Sequence, residues 1–189
     1  MIADLHPWAG ELTTLHGHIW SLLVRGVGDR RAAARHPTLT SVTPDYKPKA
    51  RTIVLRAVDK ASATLEIHTD LRARKVGELK ANPAASLHIW DSSAHLQIRL
   101  EARAHILTGQ QIAEIWARVP ERSRAAYRTM PAPGTPIKDA FSYDEVTDLN
   151  EFGVIRFEVD RIDALHLGPR HRRAQFCRSD DWAGQWLVP

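Results

Sequence analysis

The sequence predicts a mostly β fold with flanking helices, in which an antiparallel β-barrel forms the middle of the chain. From Thr38 to Thr108, apolar and polar residues alternate with period two, and β-branched residues are frequent, as is typical of half-buried strands. Short polar turns separate these strands, and only one brief helix interrupts them. Sequential strands joined in this way favour an antiparallel barrel over a parallel sheet.

The N-terminal segment 9–35 is predicted to be a helix, because its apolar residues recur at helical spacing. Gly26 and Gly28 weaken the far end of this helix, and Pro37 sets its outer limit. The residues that define the apolar stripe are Leu12, Leu15, Ile19, Leu22 and Leu23.

The remaining elements follow from the same periodicities. Strands are predicted at 38–43, 50–58, 63–69, 84–91, 94–107, 152–159 and 162–167, and helices at 72–80, 110–117 and 122–128. The segment 130–136 is rich in proline and is predicted to be a loop. We therefore predict one domain over 1–189, with the N-terminal helix at 9–35, barrel strands in 38–108 and 152–178, and a helical, proline-rich insert at 109–150.

Composition narrows the function classes. The formal net charge of +4 favours anionic partners, such as nucleic acid or phosphorylated small molecules, although solubility alone also explains it. The longest apolar runs are too short to cross a bilayer. Cys177 has no second cysteine to pair with, so the cytoplasm is the expected compartment. The histidines lack the spacing of a metal site, and no metal is expected.

Arginines at the two ends of an apolar strand, followed by a basic helix start, suggest a phosphate site. Arg51 and Arg56 lie five residues apart, which on a continuous strand places them on opposite faces. Thr69 or Asp70 is predicted to cap the next helix, and cations in its first turn oppose the helix dipole unless an anion compensates them. Those cations are Arg72, Arg74 and Lys75. Pairing with acidic neighbours, or plain solvation, explains the same charges without a ligand.

Two further features have both functional and structural explanations. The amide of Gln97 can read the edge of a heterocycle, or it can be a polar residue on an edge strand. The cluster 170–173, with three arginines and His171, can form an anion-binding loop, a solvated loop or a weak nucleic-acid patch.

Taken in order, these motifs resemble the pyridoxamine 5′-phosphate oxidase family. The similarity runs over about 38–108 and again from about 152 to the end. The segments that carry it are 51–56, 68–75, Asn82 with Pro83, Trp90, Gln97, 171–173 and 187–189.

The resemblance implies an FMN-binding split β-barrel, antiparallel and Greek-key-like, that forms a homodimer with FMN at the interface. Arg51 would lie near the FMN phosphate, Arg74 and Lys75 would hold that phosphate, and Gln97 would come from the other subunit. The full set of implied cofactor residues is Arg51, Thr52, Ile53, Val54, Leu55, Arg56, His68, Thr69, Arg74, Lys75, Gln97 and Arg173.

Departures from the family pattern fall in the substrate site. The Tyr and Arg that bind the substrate phosphate in the family correspond here to Ile115 and Val119, and only Ser123 is kept from that set. Arg170 and His171 are the other substrate candidates. We therefore predict an FMN-dependent oxidoreductase related to pyridoxamine 5′-phosphate oxidase but with an altered substrate site. The alternative is a non-catalytic split barrel that binds flavin or haem.

Overall fold

A computed structural model describes residues 6–146 and 148–189, so positions 1–5 and 147 of the predicted domain lie outside the described residues. The α-helices are α1 Leu12–Gly28, α2 Arg74–Ala81, α3 Ala113–Arg118 and α4 Glu121–Arg124. Short 3-10 helices lie at Pro7–Gly10, Ala33–Arg35, Gly109–Ile112, Ala125–Tyr127, Leu149–Glu151 and Arg178–Asp180. The strands are β1 Thr38–Val42, β2 Pro48–Thr52, β3 Leu55–Asp59, β4 Thr64–Asp70, β5 Ala84–Asp91, β6 Leu96–Leu107, β7 Thr129–Met130, β8 Asp144–Glu145, β9 Phe152–His166, β10 Arg172–Cys177 and β11 Gln185–Leu187.

One antiparallel sheet contains all the described strands except the short pair β7 and β8, and the predicted mostly β fold is confirmed. Its order is β11-β10-β9-β6-β5-β1-β2, and β3 joins through β4, which also pairs with β9. The long strand β9 therefore pairs with two different strands along one of its edges. Its first half pairs with β4, its second half pairs with β10, and both halves pair with β6.

A β-bulge divides the two halves of β9. Glu101 pairs with Arg161 and Ala102 with Val159, so Asp160 is an extra residue without a partner on β6. Before the bulge the odd-numbered residues of β9 face the core, and beyond it the even-numbered residues do. Val159 faces the core before the bulge, and Ile162 faces it afterwards.

The hydrophobic core lies between the sheet and α1. Leu15, Ile19 and Leu23 of α1 are fully buried against core residues that include Leu39 and Leu55. Burying each such side chain stabilises the fold by roughly 1.5–3 kcal/mol. The predicted apolar stripe of the N-terminal helix is thus the face that closes the core.

Two predicted elements have different bounds in the structure. The helix predicted over 9–35 ends at Gly28, and Arg35 donates from Nη1 to the carbonyl oxygen of Val27 at 2.6 Å, which satisfies part of the helix end. The strand predicted over 50–58 is interrupted, because β2 ends at Thr52 and pairs with β1, whereas β3 begins at Leu55 and pairs with β4. Arg51 and Arg56 are consequently on different strands.

In the second half of the chain, one segment has more continuous secondary structure than predicted, and another has less regular helices. The two strands predicted at 152–159 and 162–167 are one continuous strand, β9. The helices predicted at 110–117 and 122–128 are each part α and part 3-10. Within the described residues, no helix is long and apolar enough to cross a membrane.

Candidate functional site

Arg51 is held by a buried carboxylate on α2. Its Nη2 donates to Oε2 of Glu78 at 2.6 Å, and its Nη1 donates to the hydroxyl of Ser41 at 2.5 Å. Ser41 in turn donates to the same Glu78 oxygen at 2.5 Å, and Glu78 is only 8% exposed. Burial would raise the pKa of Glu78, but the hydrogen bonds from Ser41 and Arg51 outweigh it and lower the pKa. Glu78 is therefore a carboxylate that fixes the guanidinium.

Lys75 lies on the same helix, one turn before Glu78, and within electrostatic reach of Arg51. Burial lowers the pKa of Lys75, and the charge of Arg51 lowers it further, while Asp70 and Glu78 act in the opposite direction. The structure thus places Lys75 within electrostatic reach of Arg51. Their role as phosphate ligands stays a prediction. We call Arg51, Lys75 and Glu78 the α2 cluster.

Arg72 and Arg74 make other contacts. Arg72 donates from Nη2 to Asp70 at 2.6 Å and lies 3.4 Å from Glu151, so its charge is already compensated. Arg74 is exposed and donates to the carbonyl oxygen of Gly134 in the insert at 3.5 Å. Arg74 is one of the predicted phosphate ligands, and in the structure its side chain contacts the insert.

The predicted cap of α2 is wrong. The N-cap residue is Ala73, which has no side chain that can accept a hydrogen bond. Asp70 accepts from the backbone N–H of Arg72, and Thr69 donates its hydroxyl to the carbonyl oxygen of Asp70. These residues shape the turn that leads into the helix.

Arg56 and His68 line a cavity of about 320 Å³ between β3, β4 and the insert. Arg56 donates from Nη2 to the hydroxyl of Tyr127 at 3.3 Å. Burial lowers the pKa of His68 to about 4, with a smaller contribution from Arg56, so its imidazole is neutral near pH 7. The remaining lining residues are Ala57, Glu66, Ile115, Arg118, Val119, Pro120, Ser123 and Tyr127.

The other residues of the segment 51–56 lie at or beside the break between β2 and β3. Thr52 ends β2 and is exposed, and Leu55 begins β3 and is fully buried. Ile53 and Val54 belong to neither strand. The backbone N–H of Ile53 is donated to the carbonyl oxygen of Pro37. The other backbone groups of Ile53 and Val54 lie outside the regular ladders, where they can bind a ligand.

Gln97 and Arg173 lie on the other face of the sheet from the core. Gln97 is half-buried between the core residues Leu96 and Ile98, and its cross-strand neighbours are Trp90 and Leu165. Arg173 pairs in turn with Leu165. Because directly paired residues share a face, four side chains form a row, which we call the sheet-face row: Trp90, Gln97, Leu165 and Arg173.

The structural explanation of Gln97 as an edge-strand residue is wrong, because β6 is paired on both sides with β5 and β9. Arg51 lies on the opposite face from Gln97. It pairs directly with Leu39, a fully buried core residue, whereas Gln97 faces away from the core. Within one chain, the α2 cluster and the sheet-face row are therefore on different faces of the sheet.

A buried carboxylate lies beside the sheet-face row. Asp163 is 3% exposed and accepts hydrogen bonds from Arg173 Nη2 at 2.8 Å and Arg99 Nη2 at 3.1 Å. The pKa of Arg173 is raised by its hydrogen bond to Asp163 and by the charge of that carboxylate. Asp163 thus fixes Arg173 as Glu78 fixes Arg51.

Arg170 and His171 are both exposed and are far from the cavity that contains Ser123. They border a separate groove of about 360 Å³ together with Arg173 and Trp186. The structure therefore separates the three predicted substrate residues into two places within one chain. No group of three or more His, Cys, Asp or Glu side chains arranged to hold a metal occurs in residues 6–146 and 148–189.

Sequence reasoning missed four residues of these sites: Glu78, Arg118, Tyr127 and Asp163. Glu78 follows Lys75 by three residues on a helix, a spacing that does place two side chains on one face. The other three had no local signal, because their neighbours come from distant parts of the chain.

Comparison with known proteins gives a family-model match and several curated relatives. Residues 18–108 match the family model described as pyridoxamine 5′-phosphate oxidase, FMN-binding domain. A pyridoxine/pyridoxamine 5′-phosphate oxidase 2 of Arabidopsis thaliana is 26% identical over 170 residues, which cover 81% of this chain and 85% of that protein. A pyridoxine/pyridoxamine 5′-phosphate oxidase of Microcystis aeruginosa is 27% identical over 183 residues, covering 88% and 85%.

Two solved structures share the fold. A pyridoxamine 5′-phosphate oxidase-related, FMN-binding protein of Nostoc punctiforme superposes with a TM-score of 0.75 at 22% identity, covering 92% of this chain and 96% of that one. PhzG of Burkholderia lata, solved in complex with tetrahydrophenazine-1-carboxylic acid, gives a TM-score of 0.72 at 18% identity, covering 100% and 99%.

Proposed function

Because this chain belongs to the pyridoxamine 5′-phosphate oxidase-like family of FMN-binding split-barrel proteins, we propose that it is an FMN-dependent oxidoreductase with an altered substrate site. FMN is the cofactor of this family, and a homodimer with FMN between the subunits is part of the proposal. A cytoplasmic location stays a prediction from the sequence.

The observation that carries the proposal is the convergence of Arg51 and Lys75. Two like charges close together raise the energy of the folded protein unless an anion lies between them. Glu78 offsets part of this charge, and Arg74 lies next to Lys75 in sequence, so the donor set still carries excess positive charge. A phosphomonoester dianion fits this donor set, and we place the FMN phosphate there.

The two-faced arrangement supports a homodimer. Gln97 and Arg173 cannot reach a ligand held by the α2 cluster of the same chain if they project from the opposite face of the sheet. A second copy can supply them. The open face that carries them also has a groove of about 700 Å³, bordered by side chains of β1, β5, β6, β9 and β10 that include Thr40, Ser86, Glu101 and Arg161.

When bound, FMN supplies the redox chemistry, and the protein supplies position and electrostatics. Arg51 and Lys75 anchor the phosphate end. Arg56 and His68 belong both to the implied cofactor set and to the 320 Å³ cavity, so a substrate in that cavity would lie beside the cofactor. His68 is neutral near pH 7 and can accept a hydrogen bond there without adding charge.

The cavity supports an altered substrate site. Ile115 and Val119 are in its lining, at the positions where the family pattern has the Tyr and Arg that bind the substrate phosphate. Neither side chain can donate a hydrogen bond, so we expect pyridoxamine 5′-phosphate to bind poorly. Losing two phosphate contacts of about 1.5–3 kcal/mol each corresponds to a weakening of at least about 100-fold.

The test begins with FMN titration of the purified protein, followed by its absorption spectrum and anaerobic stopped-flow reduction by NADH and NADPH. We expect a yellow protein with FMN bound to each chain, reduced by a donor, and little turnover of pyridoxamine 5′-phosphate compared with an authentic oxidase. A colourless protein after FMN addition would contradict the proposal. Bound FMN that no donor reduces would favour the non-catalytic alternative.

A further inference from the structure

The 320 Å³ cavity contains more hydrogen-bond donors than acceptors. Arg56 is half-buried and Arg118 lies at the edge, and neither forms an ion pair with a carboxylate in the described part of the chain. Glu66 is the acidic residue of the lining, but it accepts from Arg156 at 2.8 Å and is neutralised by it. A half-buried guanidinium without a counter-ion favours a bound anion.

Tyr127 adds a donor of a different kind. Its hydroxyl accepts a hydrogen bond from Arg56, so the hydroxyl hydrogen is left to donate elsewhere. None of the residues 6–146 and 148–189 accepts it, although Tyr127 is only 7% exposed. The ring itself is fixed by edge contacts with Phe152 at 5.0 Å and with His68 at 5.9 Å between centroids. The position of this donor is therefore set by packing.

The rest of the lining is apolar. Ala57, Ile115, Val119 and Pro120 form the walls, and Ser123 contributes one hydroxyl. Pockets of this type bind small molecules through apolar surface and use a few polar groups to fix their orientation.

We infer that this cavity takes a small, largely apolar molecule bearing one carboxylate, held by Arg56, Arg118 and the Tyr127 hydroxyl. The inference rests on the proposed function, because it names the substrate class for the same site. Arg118 and Tyr127 are not among the positions at which the family pattern has its phosphate ligands; of those positions, Ile115 and Val119 are apolar here and Ser123 is kept. Arg118 and Tyr127 would thus supply donors that the family pattern places elsewhere.

The donor geometry favours a carboxylate over a phosphate dianion. Arg56 is the one half-buried guanidinium in the lining, and a planar fork matches the two oxygens of a planar carboxylate. Arg118 is exposed and also donates from Nε to the carbonyl oxygen of Glu114 at 3.2 Å, so solvent screens much of its charge.

Three matched probes test the inference: benzoate, its neutral analogue benzamide, and phenyl phosphate. Their dissociation constants are measured by calorimetry on the FMN-loaded protein and on the FMN-free protein. A charge-assisted contact predicts that benzoate binds about 10-fold to 100-fold more tightly than benzamide. Equal binding of benzoate and benzamide would overturn the inference, as would phenyl phosphate binding 10-fold more tightly than benzoate.

Variants assign the effect to residues. Tyr127→Phe keeps the ring and removes the hydroxyl, and Arg118→Gln removes an exposed charge; each is expected to reduce the preference for benzoate by about 3-fold to 10-fold. Arg122→Gln is the matched control, because Arg122 is exposed on the neighbouring helix α4 and does not border the cavity. A preference unchanged in both test variants, or reduced equally in the control, would overturn the assignment.

Parallel FMN titration separates this inference from the proposed function. Protein that binds and reduces FMN but does not prefer benzoate contradicts only the substrate class. Protein that prefers benzoate but never binds FMN contradicts the proposed function and supports the anion site alone.

Discussion

The α2 cluster and the sheet-face row use the same device in opposite settings. In each, an arginine rests on a buried carboxylate: Arg51 on Glu78, and Arg173 on Asp163. The α2 cluster also contains Lys75, so its cations outnumber its carboxylates. At the sheet-face row, Asp163 is shared by Arg173 and by Arg99.

The difference concerns the face of the sheet on which each region lies. The α2 cluster brings Arg51 and Lys75 together on the face that packs against the core. The sheet-face row lies on the opposite face, where Arg99 and Arg173 also outnumber the one carboxylate, Asp163, that they share. If both bind one FMN, they must belong to different subunits, and each site is then half from each copy.

The largest expected effect comes from a variant that disrupts the α2 cluster. In the double variant Arg51→Ala/Lys75→Ala, the FMN phosphate loses two charge-assisted contacts of about 1.5–3 kcal/mol each. We expect FMN affinity to fall at least about 100-fold, measured by fluorescence titration of FMN.

Lys80→Ala provides the control, because Lys80 is an exposed cation near the end of the same helix. It changes the net charge of α2 without touching the cluster. FMN affinity that survives the double variant, or falls equally in the control, would show that the phosphate lies elsewhere.

A smaller effect tests whether the two regions act across subunits. Arg173→Ala alone should weaken FMN binding about 10-fold, because one charge-assisted contact is lost. Mixing this variant with Arg51→Ala/Lys75→Ala and allowing subunit exchange should restore tight binding at about a quarter of the sites. Half of the random dimers are mixed, and each mixed dimer has one site with both wild-type halves.

The same mixture distinguishes the two arrangements. If Arg173 and the α2 cluster acted within one chain, every site would keep a defect and no tight sites would appear. The expected count of tight sites can be read directly from the amplitude of the high-affinity phase in the FMN titration.

The sequence was informative where the interacting residues are close together along the chain. The α2 cluster follows from a strand and a helix start only 24 positions apart, and the strands at 84–91 and 94–107 were located within two residues. It was uninformative where partners are distant. Tyr127 meets Arg56 across 71 residues, and no periodicity indicates such a contact.

Backbone details were also beyond the sequence. The break after Thr52 separates a strand that pairs with β1 from a strand that pairs with β4, and the choice of neighbour depends on the tertiary fold. The predicted cap of α2 is wrong for a similar reason, because the carboxylate of Asp70 accepts hydrogen bonds from Arg72 and does not cap the helix end. Local propensity gives way where tertiary contacts compete for the same groups.

The smallest expected effect is a pH dependence of stability from His68, which lines the 320 Å³ cavity outside both regions. His68 lies beside Arg56 on the same side as the cavity, and burial lowers its pKa to about 4. The unfolded chain therefore binds more protons than the folded chain between about pH 6.5 and pH 4, so the free energy of unfolding falls as the pH decreases through this window. Above about pH 6.5 this contribution is fully present.

His68→Gln should flatten that dependence, as measured by urea unfolding of the FMN-free protein at several pH values in the window. The slope is not expected to vanish, because burial also lowers the pKa of His16 and His18. An unchanged slope in the variant would contradict the buried, neutral state of His68.

The extra residue in β9 has a consequence for both faces of the sheet. Asp160 has no partner on β6, and this one position resets which side chains of the strand face inward. A regular strand in which Asp160 itself paired with Glu101 would turn Ile162 outward and drive Asp163 and Leu165 into the apolar interior, while the half of β9 beside His68 kept its orientation. The chain would keep Arg51 and Lys75 in place yet lose the face that carries Gln97 and Arg173, so a single unpaired backbone position aligns the two halves of the proposed site.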